Sequence, residues 1–304
     1  VAIATQTNTQ ADDICRRLDA SRVPSLRFAS YGRPVVDLGA TVTWQTDPKK
    51  LPAGACVVVG PSAKWGLVDN LVPFDVVFVE EAWQLAWSDF MLLRQVSGRF
   101  VLIGDPGQVP PVVSTDVSRW VTAPRPPFEA APEVLLAEGF ECLRLSLPAT
   151  RRLPADTVGL IRTFYDFRFE AFARPGERAV EANGRSKDAA DKALDLLRVG
   201  SAVGFTLPTP DGGPPLDCDE EIAAAAVGLA TRLLDRRTTC LVDGDRRPLA
   251  PEDIGLCATH RIMNGAMEMR LPDGLRGRIA VDTPERWQGL ERKVLIMVHP
   301  LSGV

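Results

Sequence analysis

The sequence is poor in the residues that bind zinc or iron–sulfur clusters. It has two histidines, and its six cysteines are widely spaced and never form a C-x-x-C pair. Because such sites need closely spaced Cys or His ligands, neither a structural zinc site nor a cluster is expected. Buried, reduced thiols are the simpler interpretation of the cysteines, and they favour a cytoplasmic location.

Long apolar runs are also missing, and so is an excess of positive charge. No apolar segment reaches the roughly 18 residues that suggest a membrane-spanning helix, and no signal peptide is recognisable, so no membrane partner is expected. The net charge of −4 argues against electrostatic coating of nucleic acid along the whole surface, although it leaves a local basic groove possible. Six of the 35 basic residues are lysines. Arginine, which suits bidentate contacts with phosphate, therefore supplies most of the positive charge.

Two apolar runs in the first third of the chain end on polar groups. Val76–Val79 is followed by Glu80 and Glu81, and Phe100–Ile103 is followed by the sequence GDPGQ at 104–108. Runs of β-branched and aromatic residues are typical of strands buried in a parallel sheet. Since ligands of such sheets bind at the carboxyl ends of the strands, the pattern predicts a site for a metal-bound phosphate and a water molecule.

The two segments together resemble motifs II and III of superfamily 1 nucleic-acid helicases. EEAWQ at 80–84 is similar to the usual DEAxQ, and GDPGQVPPV at 104–112 is similar to GDPxQLPP. The resemblance implies that Glu80 is a magnesium ligand, that Glu81 orients the attacking water and that Gln108 senses the γ-phosphate. It also implies that Gln84 and Asp105 contact the nucleotide and that Pro111 contacts nucleic acid. The family usually has Asp where this chain has Glu80. An acidic pair on the solvated end of a strand is the alternative interpretation of Glu80 and Glu81.

Two further segments of the first half suggest contacts with nucleic acid. The sequence at 5–12, TQTNTQAD, resembles motif Ia, which implies that Thr7 and Asn8 contact the nucleic-acid backbone. Capping of the following helix is an equally good interpretation of either residue. The loop Gly60–Trp65 brings a hydroxyl (Ser62), a cation (Lys64) and an aromatic ring together, a combination that suits single-stranded nucleic acid. Core packing is the preferred interpretation of Trp65.

Three segments of the second half extend the resemblance. TRRLP at 150–154 resembles motif IV, THRIMN at 259–264 resembles a turn that contacts nucleic acid, and the stretch 283–291 resembles motif V, TxxxxQGxE. The resemblance implies that Arg152 is an arginine finger and that Arg151 stacks on adenine. It also implies that His260 and Thr283 contact the nucleic-acid backbone. Gly289 would approach phosphate closely, and Glu291 would lie near the ribose. Arg151 stands where the family often has an aromatic residue. Two arginines at the start of a solvated helix are the alternative interpretation of Arg151 and Arg152.

The resemblance implies an α/β fold with two RecA-like parallel-sheet domains of the P-loop NTPase fold, both incomplete. The expected boundaries are 1–114 for the first domain, 115–142 for a linker and 143–304 for the second. The implied function is that of an ATP-dependent helicase or translocase on single-stranded DNA or RNA, with ATP and Mg²⁺ bound between the domains and a leaning towards the 5′→3′ branch. No G-x-x-x-x-G-K-[ST] occurs in the 304 residues, so we interpret the chain as a fragment that lacks the P-loop and motif VI and hydrolyses little ATP alone. The alternative is a non-catalytic nucleic-acid-binding or scaffold protein with a degenerate helicase core.

Local patterns add two minor expectations. The stretch Val35–Trp44 suggests a short hairpin, and Leu143–Leu145 suggests a strand.

Overall fold

The computed structural model describes residues 1–69, 71–208, 218–287 and 291–298. The chain divides into two compact units, Val1–Arg144 and Leu145–Val304. Both units combine helices with parallel strands, which confirms the α/β class. Within the described residues, no helix has the length and apolar character needed to cross a bilayer.

A six-stranded parallel sheet forms the centre of the first unit. In chain order its strands are β1 (Ala2–Thr5), β2 (Ser25–Phe28), β3 (Val42–Gln45), β4 (Val58–Pro61), β5 (Val77–Val79) and β6 (Phe100–Leu102). Their order across the sheet is β3-β2-β4-β1-β5-β6. The inner strands are short runs of small or β-branched residues such as Ala2, Ala4, Val77 and Val79, all fully buried. A strand of this composition fits between two covering layers of helix.

In the described part of this unit the helices are α1 (Asn8–Ala20), α2 (Ser62–Gly66), α3 (Trp87–Leu92) and α4 (Ala131–Ala137). Helices α1 and α2 pack on the sheet, and α3 packs against α2 and α4. The segment 115–142, expected to be a linker, contains α4, and α4 belongs to the first unit. The amide of Ala131 donates to the carbonyl of Leu85 at 2.9 Å, and the Ala131 side chain is buried in the core of the first unit.

The two minor expectations were wrong. No hairpin forms at Val35–Trp44, because β3 runs parallel to β2 with Ser25 opposite Val42, and the residues between them form the crossover. Residues 143–145 form no strand. Leu143 is 87% exposed and Leu145 is 81% exposed. The alternation of leucine with arginine therefore does not reflect a strand with one buried face.

The described residues of the second unit form three small sheets. Its strands are β7 (Ala149–Thr150), β8 (Glu170–Ala171), β9 (Arg178–Glu181), β10 (Thr239–Val242), β11 (Asp245–Pro248), β12 (Ile254–Ala258), β13 (Ala280–Asp282) and β14 (Val294–Val298). The order β13-β12-β14 is parallel, β11-β10-β9 is antiparallel, and β7 pairs with β8.

Among the residues that the structure describes, the helices of this unit are α5 (Ala155–Ile161), α6 (Ala189–Leu196), α7 (Glu220–Asp235), α8 (Arg261–Arg270) and α9 (Pro284–Trp287). The apolar face of α7, which includes Ala230 and Leu233, packs in one core with Ile254 and Leu256 of β12 and Met267 of α8. Asp219 begins α7, since its carboxylate accepts hydrogen bonds from the amides of residues 221 and 222.

Candidate functional site

The carboxyl ends of β1, β4, β5 and β6 lie along one edge of the first sheet. The side-chain amide of Gln6 donates to the carbonyl of Glu80 at 3.2 Å, and the Ser62 hydroxyl donates to the carbonyl of Thr5 at 3.0 Å. Parallel pairing thus places at this edge the predicted residues that closely follow the strands: Thr7, Ser62, Glu80, Glu81 and Asp105. The other predicted residues of this unit come later in the same segments: Asn8, Lys64, Gln84, Gln108 and Pro111.

Glu80 is held at the end of β5 by its own amide, which donates to the carbonyl of Ala4 at 2.9 Å. Its side chain is partly buried. Burial raises the pKa of this carboxyl above the ordinary glutamate value, and the charge of Arg17 offsets part of the rise. A carboxylate that has lost part of its hydration gains from a nearby cation, so Glu80 is suited to holding a metal ion.

Glu81 adopts a left-handed backbone conformation, with φ 52° and ψ 48°. For a residue with a Cβ this conformation costs about 1–2 kcal/mol, and such strain tends to occur at functional positions. The turn that follows Glu81 is closed by the amide of Gln84, which donates to the carbonyl of Glu81 at 2.9 Å. The strained turn therefore fixes where the main chain of Glu81 lies relative to Glu80.

Gln84 carries an orphaned donor. Its side-chain Nε2 is buried and has no hydrogen-bond partner among the described residues. A buried donor without an acceptor costs about 1–3 kcal/mol. An acceptor group supplied by a ligand, such as a phosphate oxygen or a purine nitrogen, would remove that cost.

The loop after β6 is organised by Asp105. One carboxylate oxygen accepts from the amide of Gly107 at 2.9 Å, and the other lies 3.4 Å from the side-chain nitrogen of Gln108. Asp105 thus shapes its own loop and turns the Gln108 amide towards itself. Pro111 is partly buried further along the same loop.

Four of the residues assigned to nucleic acid in this unit make contacts within the protein; they are Thr7, Asn8, Ser62 and Lys64. Thr7 caps α1 in a capping box with Gln10. The Lys64 ammonium donates to the carbonyl of Thr46 at 3.2 Å and lies 4.5 Å from the centre of the Phe28 ring. Trp65 is fully buried, which confirms core packing. Ser62 holds the end of β1, as described above, so both of these loops are stabilised before any ligand arrives.

Asn8 belongs to a buried charged cluster that sequence reasoning missed. Arg27, which is fully buried, donates to Asp12 at 2.7 Å, to the carbonyl of Phe28 at 2.8 Å and to the Asn8 side chain at 2.9 Å. Arg33 donates to the other carboxylate oxygen of Asp12 at 2.7 Å. The sequence holds a trace of this cluster, because Arg27 stands between the apolar residues Leu26 and Phe28 of β2. Asp12 lies beside Ala11 on the buried face of α1.

The second unit brings two of its predicted residues together. The Arg152 guanidinium lies 3.7 Å from the Glu291 carboxylate, and both side chains are about half exposed. Glu291 precedes β14, and the amide of Lys293 donates to the carbonyl of Asp253, the residue before β12, at 2.9 Å. Arg152 and Glu291 therefore lie near the amino ends of these parallel strands.

His260 and Thr283 lie at the opposite, carboxyl ends of β12 and β13. Parallel pairing therefore separates them from Arg152 and Glu291. His260 is exposed and precedes α8 without a side-chain capping bond. Thr283 is buried. Its hydroxyl helps to lower the pKa of the Glu285 carboxyl, after the larger effect of that residue's own amide.

Arg151 and Asn264 also make defined contacts in the second unit. The Arg151 guanidinium, expected on adenine, lies 4.4 Å from the centre of the Phe172 ring. Asn264, which the sequence reasoning did not single out, clamps the turn after β12, because its amide group exchanges two hydrogen bonds, of 2.9 and 3.0 Å, with the backbone of Ala258. Gly289 lies outside the described residues.

The cysteines do not form a site. All six are unpaired, and burial raises the pKa of the Cys15 and Cys257 thiols to about 11, so these two are unreactive at neutral pH. Over the described ranges, no group of three or more His, Cys, Asp or Glu side chains is arranged to hold a metal ion. Mg²⁺ that is shared with nucleotide phosphates needs only one or two protein carboxylates, and Glu80 fits that requirement.

Comparison with known proteins adds no family assignment. Neither the models of known protein families nor the curated protein sequences include a match to this chain.

Proposed function

We propose that this chain is part of an ATP-dependent helicase or translocase that acts on single-stranded DNA or RNA and uses Mg²⁺. The observation that supports the proposal best is the juxtaposition of two strand ends. Glu80–Gln84 and Gly104–Gln108 follow adjacent parallel strands, and the amide of Ala82 donates to the carbonyl of Ile103 at 2.8 Å. Acids and amides are thereby held side by side where α/β sheets bind ligands.

Each residue of this edge has a role in the proposal. Glu80 holds Mg²⁺, which supplies charge to stabilise the phosphates when it is bound. The Glu81 carboxylate orients a water molecule for attack. Gln84 donates its unpartnered N–H to the nucleotide, and Gln108 responds to the γ-phosphate once it leaves Asp105. This is the division of labour that phosphoryl-transfer enzymes use.

The proposal also covers the residues of the second unit and the location of the protein in the cell. Both units are RecA-like, Arg152 is the phosphate-contacting arginine, and Thr283 and His260 lie at nucleic acid. The unpaired state of all six cysteines supports a cytoplasmic location.

A second candidate is a nucleic-acid-binding or scaffold protein that does not hydrolyse ATP. Three sequence features favour it: the 304 residues contain no G-x-x-x-x-G-K-[ST], Glu80 replaces the usual Asp, and Arg151 replaces an aromatic residue. It predicts binding of nucleic acid without turnover of nucleotide.

ATP hydrolysis separates the two candidates. It should be measured on the complete product of the gene that encodes this chain, with and without single-stranded DNA or RNA. We expect hydrolysis that nucleic acid stimulates and that Glu81→Gln reduces by about 10²-fold or more, while Glu141→Gln, at an exposed position of the same unit, leaves it unchanged. No hydrolysis in any condition would reject the helicase and favour the second candidate. If nucleic acid stimulates hydrolysis, strand displacement with opposite overhangs would test the 5′→3′ polarity.

A further inference from the structure

A shallow cavity of about 560 Å³ that opens widely to solvent on the first unit has no role in the function proposed above. Its walls include two indoles, Trp87 and Trp120, two prolines, Pro124 and Pro127, and the ion pair Arg125–Glu138. The volume lies within the range of small-molecule sites, about 300–1,000 Å³. The cavity can therefore hold a planar group the size of a nucleoside.

The main chain around the cavity is fixed by hydrogen bonds. The amide of Trp87 donates to the carbonyl of Glu129 at 2.8 Å, and the amide of Ser88 donates to the carbonyl of Pro127 at 3.0 Å. The Trp87 ring also packs 5.6 Å from the ring of Phe90, which is buried in the core. One indole of the cavity is thus anchored in the fold before any ligand binds.

The second indole is open to solvent. Trp120 is 40% exposed, and the Arg119 guanidinium lies 4.8 Å from its ring centre. An exposed ring beside an arginine is the combination that binds single-stranded nucleic acid, because the ring stacks on a base and the cation attracts the phosphate.

The ion pair between Arg125 and Glu138 affects the charge of the ligand that the cavity can bind. Glu138 receives two hydrogen bonds from Arg125, at 2.6 and 3.0 Å, so its charge is already compensated. Arg119 adds a further positive charge beside the Trp120 ring. A cationic ligand, which two indoles and a free carboxylate would otherwise attract, is therefore disfavoured relative to a neutral ring that carries a phosphate.

We propose that this cavity binds one unpaired base of a single-stranded nucleic acid, stacked on Trp120, with Arg119 at the adjoining phosphate. The inference rests on the proposed function only for the class of partner, and it does not require ATP hydrolysis. A proline-rich peptide is the competing occupant, since such peptides bind aromatic-lined grooves. The arginine beside the exposed ring favours the polyanion.

The test uses the 304-residue chain without nucleotide. Fluorescence anisotropy would compare a fluorescein-labelled (dT)₁₂ with an abasic oligomer of the same length and charge. We expect the abasic oligomer to bind about tenfold more weakly, and Trp120→Ala to weaken (dT)₁₂ by about the same factor without affecting the abasic oligomer. Trp120→Phe, which keeps a stacking ring, should retain most of the affinity. Val121→Ala, at a neighbouring residue that is 61% exposed, should bind as the wild type does.

Several outcomes would overturn the proposal: equal binding of the two oligomers, no binding of either, or unchanged (dT)₁₂ affinity in Trp120→Ala. Binding of decaproline that depends on Trp120, without base-dependent binding of (dT)₁₂, would assign the cavity to peptides. If Trp120→Ala does not fold, Arg119→Ala decides, since it must reduce the salt dependence of (dT)₁₂ binding by about one phosphate contact. Base-dependent binding through Trp120, together with a complete gene product that hydrolyses no ATP, would reject the proposed helicase and leave this inference standing.

Discussion

The amide of Ala82 donates a 2.8 Å hydrogen bond to the carbonyl oxygen of Ile103. This bond joins the turn that carries Glu81 to the loop that carries Gln108. The two loops also approach closely, because a Cβ built on Gly104 would lie 2.9 Å from the amide nitrogen of Ala82. The acidic turn and the amide-bearing loop therefore form one structural element.

Substitution of Gly104 tests this contact. In Gly104→Ala the new methyl group would meet the Ala82 amide and, at 3.0 Å, the Trp83 ring, so the loops must separate. We expect a loss of about 1–3 kcal/mol in the free energy of unfolding, the usual cost of overpacking, measured by urea denaturation. Gly98→Ala is the control, since nothing lies within 4 Å of its Cβ position. Equal stability of the two variants would show that the loops are not tightly joined.

The charged cluster that includes Asn8 predicts different losses of stability for substitutions of the neighbouring residues Asp12 and Asp13. Asp12 is buried between Arg27 and Arg33, whereas Asp13 pairs with Arg17 at the surface. Asp12→Asn leaves a buried guanidinium uncompensated and should destabilise the first unit by about 3–5 kcal/mol. Asp13→Asn should cost about 0.5 kcal/mol or less. Thermal or urea unfolding measures both, and a similar small loss in each would contradict a buried ionic cluster.

The raised pKa of Glu80 predicts a pH dependence. Burial makes the folded protein hold the Glu80 proton more tightly than the unfolded chain does. The stability that this proton contributes is therefore present below the ordinary glutamate pKa of about 4.3 and is lost as pH rises through the folded pKa. Glu80→Gln has no such loss, so its stability relative to wild type should increase from about pH 4 to pH 7. Glu141→Gln should show no comparable increase, and a constant difference for Glu80→Gln would refute the desolvation.

Arg152 separates a functional role from a structural one. Its pairing with Glu291 is exposed, at 3.7 Å, so Arg152→Ala should change the free energy of unfolding by less than about 1 kcal/mol. If Arg152 contacts phosphate in the complete gene product, the same variant should reduce ATP hydrolysis by about 10³-fold or more. Arg168→Ala removes another exposed arginine of this unit, one that pairs with Glu170, and should leave hydrolysis unchanged. Equal activity of the two variants would remove Arg152 from the reaction.

Much of the fold could be predicted because buried parallel strands leave a strong pattern. The apolar runs that became β5 and β6 were both recognised from the sequence. β2 was not, because Arg27 interrupts its apolar pattern and the partner that makes its burial possible, Asp12, lies on a helix. The supposed hairpin failed for a related reason, since local Gly and Pro signals do not reveal which distant strand β3 pairs with.

The edge of the site was predictable, whereas the contacts of its side chains were not. Parallel pairing alone brings the residues after β5 and β6 together. The partner of Asn8 is Arg27, and the partner of Arg152 is Glu291. Each pair is far apart in sequence and joined only by tertiary packing, so no local pattern encodes either contact.

Metal-directed cleavage tests most directly whether the edge after β5 and β6 holds Mg²⁺ and nucleotide. Fe²⁺ in place of Mg²⁺ reduces added hydrogen peroxide to hydroxide and a hydroxyl radical, ascorbate returns the resulting Fe³⁺ to Fe²⁺, and the radicals cut the main chain near the metal. Mass spectrometry of the complete gene product locates the cuts. We predict cuts that require ATP and that cluster around Glu80 and Gly104, and we expect Glu80→Gln to abolish them. Cuts elsewhere in the chain, or cuts at these positions that do not depend on ATP, would contradict the assignment.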